Sequence, residues 1–165
     1  HEGVGGDDHL AALNFARAAD VELNFVSFSG NAEATAALLG GHIDAFEGNM
    51  SEVAAQVEDG AIRALAVWSR ERLPQIPDVP TGAEQGYDVV SAASRGIAVP
   101  AGVPDDVYQT LLDAAESVVN DDAFLAELEN LNMPVVPIIG EEYEAYVEDS
   151  HQTLRQLWET DPWLE

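Results

Sequence analysis

The chain has 165 residues, with 31 Asp and Glu set against six Arg and no Lys, giving a formal net charge of −25. A field of that sign repels nucleic acid and anionic membrane surfaces, which excludes both as partners, and the absence of Cys excludes disulfides, thiolate nucleophiles and Cys-bound zinc. With 47% apolar residues and no run near the ~20 needed to cross a bilayer, the sequence reads as soluble, with no membrane insertion, in one domain or two small lobes that bury roughly 70% of the unfolded surface.

Self-repulsion of this size destabilises a compact state at low salt, whereas in molar salt the Debye length falls to about 3 Å and the repulsion is screened. Acidic surfaces ordinarily carry abundant Lys, so its complete absence points to a halophile's protein, with a merely acidic mesophilic protein as the alternative. The opening HEGVGGDDHL lacks the basic start and apolar stretch of a signal peptide, so a signal segment, if the intact protein has one, lies outside this chain.

In chain order, Gly5-Gly6-Asp7-Asp8 precedes the helical pattern HLAALNFARAA, with Asp7 or Asp8 as its cap. VELNFVSF alternates Val21, Leu23 and Phe25 with Glu22, Asn24 and Val26, a strand pattern. Ser29-Gly30-Asn31 turns the chain into the short helix AEATAALLG, and Gly40-Gly41 stops that helix before a strand, HIDAFEG. Asn49-Met50-Ser51-Glu52 opens the next helix, with Ser51 as cap, and IRALAVWS reads as a buried strand. RERLPQIPDVPT, with its three prolines, is an extended loop, and the long extended stretch after it ends near Pro100, where the composition shifts and a lobe boundary is expected. PDDVYQTLLDAAESVVN then forms an amphipathic helix with Val107, Leu111, Leu112, Ala115 and Val118 inward. A second helix, DDAFLAELENL, an edge-type strand, MPVVPIIG, and a long C-terminal helix with Tyr143, Tyr146, Val147, Leu154 and Leu157 inward complete an α/β chain.

Motifs spread along nearly the whole chain then stand in a telling order. They are Phe28-Ser29-Gly30, Leu39-Gly40-Gly41-His42-Ile43-Asp44, Arg63-Ala64-Leu65-Ala66, Pro77-Asp78-Val79-Pro80-Thr81 and Val99-Pro100-Ala101-Gly102-Val103-Pro104. Together they resemble the substrate-binding receptors of tripartite tricarboxylate transporters, also called Bug receptors, with Val99 standing where the family usually has Ala. The resemblance implies a periplasmic-binding-protein type II-like α/β fold, of which this chain matches the C-terminal part only. Residues 1–91 would be the second, ligand-binding lobe, and residues 92–165 the crossover and returning C-terminal part of the first. It further implies a small organic carboxylate as ligand, membrane transporter subunits as partners, an extracytoplasmic location and no cofactor. The effector-sensing domain of a transcription regulator, which shares the fold, is the alternative.

Such receptors hold a carboxylate with backbone N–H groups at helix amino ends. Candidate ligand contacts are therefore Gly6, Asp7, Asp8 and His9 at the first helix, Ser29, Gly30, Asn31 and Ala32 at the second, and Asn49, Met50 and Ser51 at the third. Arg95 joins them as a natural carboxylate partner. Each also has a purely structural reading, as a cap, a turn or an ion pair. Asp7 and Asp8 would repel a carboxylate, which implies screening by salt, a cation or an aminated ligand. His42 and Asp44, at i and i+2 of an expected strand, could share a face as acid-base chemistry needs. No G-x-S-x-G, no H-E-x-x-H and no third ligand accompanies them. They read as turn residues or a hydrogen-bonded pair, and neither a catalytic nor a metal site is expected.

Overall fold

The computed structural model describes residues 1, 3–160 and 162–163. The chain divides into two compact units, His1–Ser94 and Arg95–Glu165.

In the first unit three helices alternate with irregular segments. Helix α1 (Asp7–Ala19) starts on extended Gly6, carries Asp7 and Asp8 in its first turn and Arg17 in its last, and ends on left-handed Asp20 (φ 53°, ψ 48°). This charge order complements the helix dipole, and the Asp20 N–H returns to the Ala16 and Arg17 carbonyls, satisfying acceptors the helix end leaves open. Helix α2 (Asn31–Leu39) runs between Gly30 and Gly40, and left-handed Gly41 (φ 69°) turns the chain away. Helix α3 (Met50–Glu58) is entered through Asn49, which with Glu52 forms a capping box. A single 3-10 turn (Ala83–Gln85) follows the proline loop. There Thr81 and Glu84 bond reciprocally, Thr81 N–H to Glu84 Oε2 at 2.8 Å and Glu84 N–H to Thr81 Oγ1 at 3.1 Å.

Among the described residues the expected strands do not assemble into ladders. Among the described residues the sole β-bridge is the parallel pair Val67 and Thr81. Other segments meet through scattered bonds: Phe28 N–H to the His1 carbonyl at 2.9 Å, and Ser91 N–H to the Trp68 carbonyl at 2.9 Å. Both faces of residues 21–28 remain open, Leu23 at 41% and Val26 at 40%. With no face pinned in a core, alternation does not select a partner or a register. The core of this unit is formed of small groups, Ala11, Ala16, Ala34, Val67 and Val89, together with Thr35 and Thr81.

The second unit holds α4 (Asp105–Val119), α5 (Asp122–Asn130) and α6 (Glu141–Thr160). Asp121 caps α5 by accepting the Phe124 N–H at 2.9 Å. The helices form as the sequence predicts, but their apolar rows are not enclosed: Val107, Leu111 and Val118 on α4 and Tyr146, Val147 and Leu154 on α6 stay exposed. Here α4 packs on α5, and Tyr143 stacks with Tyr146 at 6.2 Å between ring centroids while lying against Gly96. An apolar stripe gives a helix a face to bury without saying what covers it.

Candidate functional site

The amino ends of α1 and α3 are joined directly. The Asn49 side-chain amide donates to Asp7 Oδ2 at 2.9 Å, and the Asn49 N–H donates to Glu52 Oε2 at 2.9 Å. Asn49 therefore closes one helix start and ties it to the other. Asp8, buried against α1, accepts the His9 N–H at 2.8 Å, and the Gly5 N–H donates to His9 Nδ1 at 3.1 Å. Burial lowers the His9 pKa, with the Asp8 charge opposing. The His9 ring is held edge-on to Phe25 at 5.0 Å, which brings segment 21–28 to the start of α1.

Expectation and structure differ in several places. Gly6, not Asp7 or Asp8, is the residue before α1, and both acids lie inside its first turn. Asn49, not Ser51, caps α3, because its side chain already has partners on both helices, while Met50 and Ser51 are helical. At α2, Gly30 is extended (φ 175°), so no left-handed turn is needed there. Glu33 folds back over this end: its carboxylate accepts the Ser29 N–H at 3.0 Å and the Ser29 hydroxyl at 2.7 Å. These bonds hold the Glu33 pKa below the usual carboxylate value and occupy donors an anion would otherwise meet. Asn31 and Ala32 form the first turn of α2 behind them. Arg95 opens the second unit, exposed and without an ion pair among the described residues. His42 and Asp44 lie in a bend after Gly41 rather than on a strand, both exposed, and no hydrogen bond joins them.

One polar residue at this site escaped the sequence reading. Glu47 accepts a hydrogen bond from the Trp68 indole N–H, and its pKa is raised to about 7, first by burial and further by the Asp8 charge, with the Trp68 bond opposing. The available signal was a lone acid in Ala45-Phe46-Glu47-Gly48, inside a segment otherwise read as a core strand. Among the described residues no group of three or more His, Asp or Glu is placed to hold a metal ion, and no helix is long and apolar enough to cross a membrane. A hollow along α6, lined by Glu148, His151, Gln152, Arg155, Gln156 and Glu159, is a gap between side chains of one helix.

A family model described as tripartite tricarboxylate transporter family receptor matches residues 1–160. BugT of Bordetella pertussis is 30% identical over 129 residues, covering 75% of this chain and 40% of BugT. A TctC solute-binding protein from Polaromonas is similar at a TM-score of 0.82 and 31% identity, over 97% of this chain and 56% of that one. MatC from Rhodopseudomonas palustris, solved with bound malate, reaches a TM-score of 0.63 at 25% identity, over 79% and 45% of the two chains. The chain thus spans about half the length of these three proteins. Its fold is the α/β fold of type II-like periplasmic binding proteins, in part, and its relatives are binding receptors rather than enzymes. The chain belongs to the tripartite tricarboxylate transporter receptor family, the family that its ordered motifs resemble.

Proposed function

We propose that this chain acts as the solute-binding receptor, or as part of one, of a tripartite tricarboxylate-type transporter, capturing a small organic carboxylate outside the cell and presenting it to membrane subunits. The family match over residues 1–160 carries this reading, and the similarity to a receptor that holds malate supports the ligand class. The matched family offers no support for a regulator's effector-sensing domain.

Within the chain, the linked starts of α1 and α3 are the favoured position, because Gly6, Asp7, Asp8, His9, Asn49, Met50 and Ser51 converge there. The α2 start, from Ser29 to Ala32, serves only when Glu33 releases Ser29, and Arg95 remains a candidate carboxylate partner by its charge. The division at Ser94 and Arg95 supports treating residues 1–91 as one lobe and 92–165 as crossover and returning segment. The acidic composition supports a halophilic setting, in which screening by salt relieves the repulsion between Asp7, Asp8 and an anion. Isothermal titration with malate and a panel of di- and tricarboxylates in molar KCl tests the proposal. Saturable heat with one of them is expected; no heat with any overturns it.

A further inference from the structure

Glu47 has no task in the receptor reading, yet its surroundings are built. Its carboxyl accepts the indole N–H of Trp68, and Trp68 is itself confined. Its ring lies 5.3 Å from that of Phe15 on α1, and Phe15 meets Tyr87 edge-on at 5.3 Å. Buried Gly82 leaves the indole its space, since a Cβ at that position would stand 2.5 Å from the ring. The charge that faces Glu47 is the carboxylate of Asp8 on α1, and no Arg is within ion-pair distance among the described residues. Trp68 does not titrate, and Tyr87 meets Phe15; the His1 ring lies 4.5 Å from that of His9, and the amino-terminal ammonium acts on His9. Asp7 and Glu52 engage Asn49 rather than Glu47, and His9, beside Asp8, is neutral near pH 7 because burial lowers its pKa. Glu47 and Asn49 are two residues apart on the segment that leads into α3. One addresses Asp8 and the other Asp7, in the same helical turn.

A part-buried carboxyl that is bonded to an indole, feels a nearby carboxylate and has no Arg paired with it among the described residues is held most stably with its proton on. We infer that Glu47 is a proton-controlled positioning residue for the carboxylate site: protonated, it stays on Trp68 and lets segment 45–49 seat Asn49 on Asp7; ionised, it is repelled by Asp8, loosens that seat and weakens binding of a dianion. The binding half of this inference rests on the receptor reading; the proton-controlled contact with Trp68 does not. Burial and Asp8 bring the Glu47 titration to about pH 7, where a change of one pH unit alters its charge appreciably.

The experiment uses the full chain with Trp158→Phe and Trp163→Phe, leaving Trp68 as the single indole. In the absence of ligand, Trp68 emission between pH 5 and 9 is expected to change with a midpoint within about one unit of 7, and Glu47→Gln is expected to abolish that change. No titration, or the same titration in the Gln variant, overturns the inference. In a second arm, malate affinity between pH 6 and 8 is expected to fall by up to about tenfold in the parent and to stay nearly constant in Glu47→Gln. Equal falls in both overturn the positioning role. If neither malate nor any other di- or tricarboxylate of the panel binds at either pH while the Trp68 titration is present and removed by Glu47→Gln, the receptor reading fails and the proton-controlled contact stands.

Discussion

Replacing Glu47 by Gln removes the ionisation while keeping the shape and an oxygen to accept the Trp68 N–H. The native carboxyl titrates at about 7 instead of its ordinary 4.5. Below pH 4.5 the group is protonated in both folded and unfolded chains and contributes nothing to the difference between them. Between 4.5 and 7 the folded state holds a proton that the unfolded state has released, so stability falls as pH rises, and above 7 the loss is complete. At 1.36 kcal/mol per pH unit the full loss is about 3 kcal/mol, and because Glu47 is only partly buried, water screening brings the expected figure to roughly 1.5–3 kcal/mol. Urea unfolding of wild type and Glu47→Gln, followed by Trp emission at constant high salt from pH 4.5 to 8, measures this directly. The Gln variant should match wild type at pH 4.5 and exceed it progressively to pH 8. Taking the difference between two chains removes the common effect of the other acids. Parallel stability curves across that range would refute the assignment of a proton to Glu47.

The remaining predictions concern the same unit and the surface. Gly82→Ala gains roughly 0.4–1 kcal/mol from the unfolded state, since φ is −57° there. Its Cβ, however, meets the Trp68 ring at 2.5 Å and the Tyr87 carbonyl at 3.1 Å, so overpacking of about 1–3 kcal/mol leaves a net destabilisation of order 1 kcal/mol, readable in urea melts. Asn49→Ala should cost about 1 kcal/mol by opening the α3 cap, and the loss should be smaller when Asp7→Ala is already present. In thermal melts from 0.1 to 2 M KCl the midpoint should rise steadily, and a midpoint indifferent to salt would count against a halophilic origin.

The helices were legible because each carries its own period and its own stops: Gly40-Gly41 after α2, Asp105 and Asp106 in the first turn of α4, and Asp121 before α5. Strand pairing was not legible, because alternation in VELNFVSF states that two faces differ and leaves open which backbone answers. Among the described residues the segment forms no strand and bonds to the rest of the unit only at isolated points. At the site, chain spacing located the helix starts but not the choice among neighbouring polar residues. Asn49 caps α3 instead of Ser51 because Asp7, 42 residues away, gives its amide a second partner. Glu33 covers Ser29 for a comparable reason: a carboxylate one helical turn on lies within reach of two donors. Glu47 was missed because a single acid in an apolar stretch is ordinarily solvent-facing, and only the tertiary position of Trp68 turns it inward.

The link between Asn49 and Asp7 also bears on the order in which the first unit assembles. The Val67–Thr81 bridge closes a short loop, and Trp68 reaches Glu47 across 21 positions, whereas Asn49 must find Asp7 across 42. Doubling the span adds about 0.6 kcal/mol of closure entropy, and contacts between distant segments form late when nearer ones can organise the chain first. The proline loop and its indole therefore provide a platform on which the two helix starts subsequently meet. By the same reasoning the ring contacts of α1, Phe15 with Trp68 over 53 positions and Phe15 with Tyr87 over 72, are expected to form later still than the link between the two helix starts.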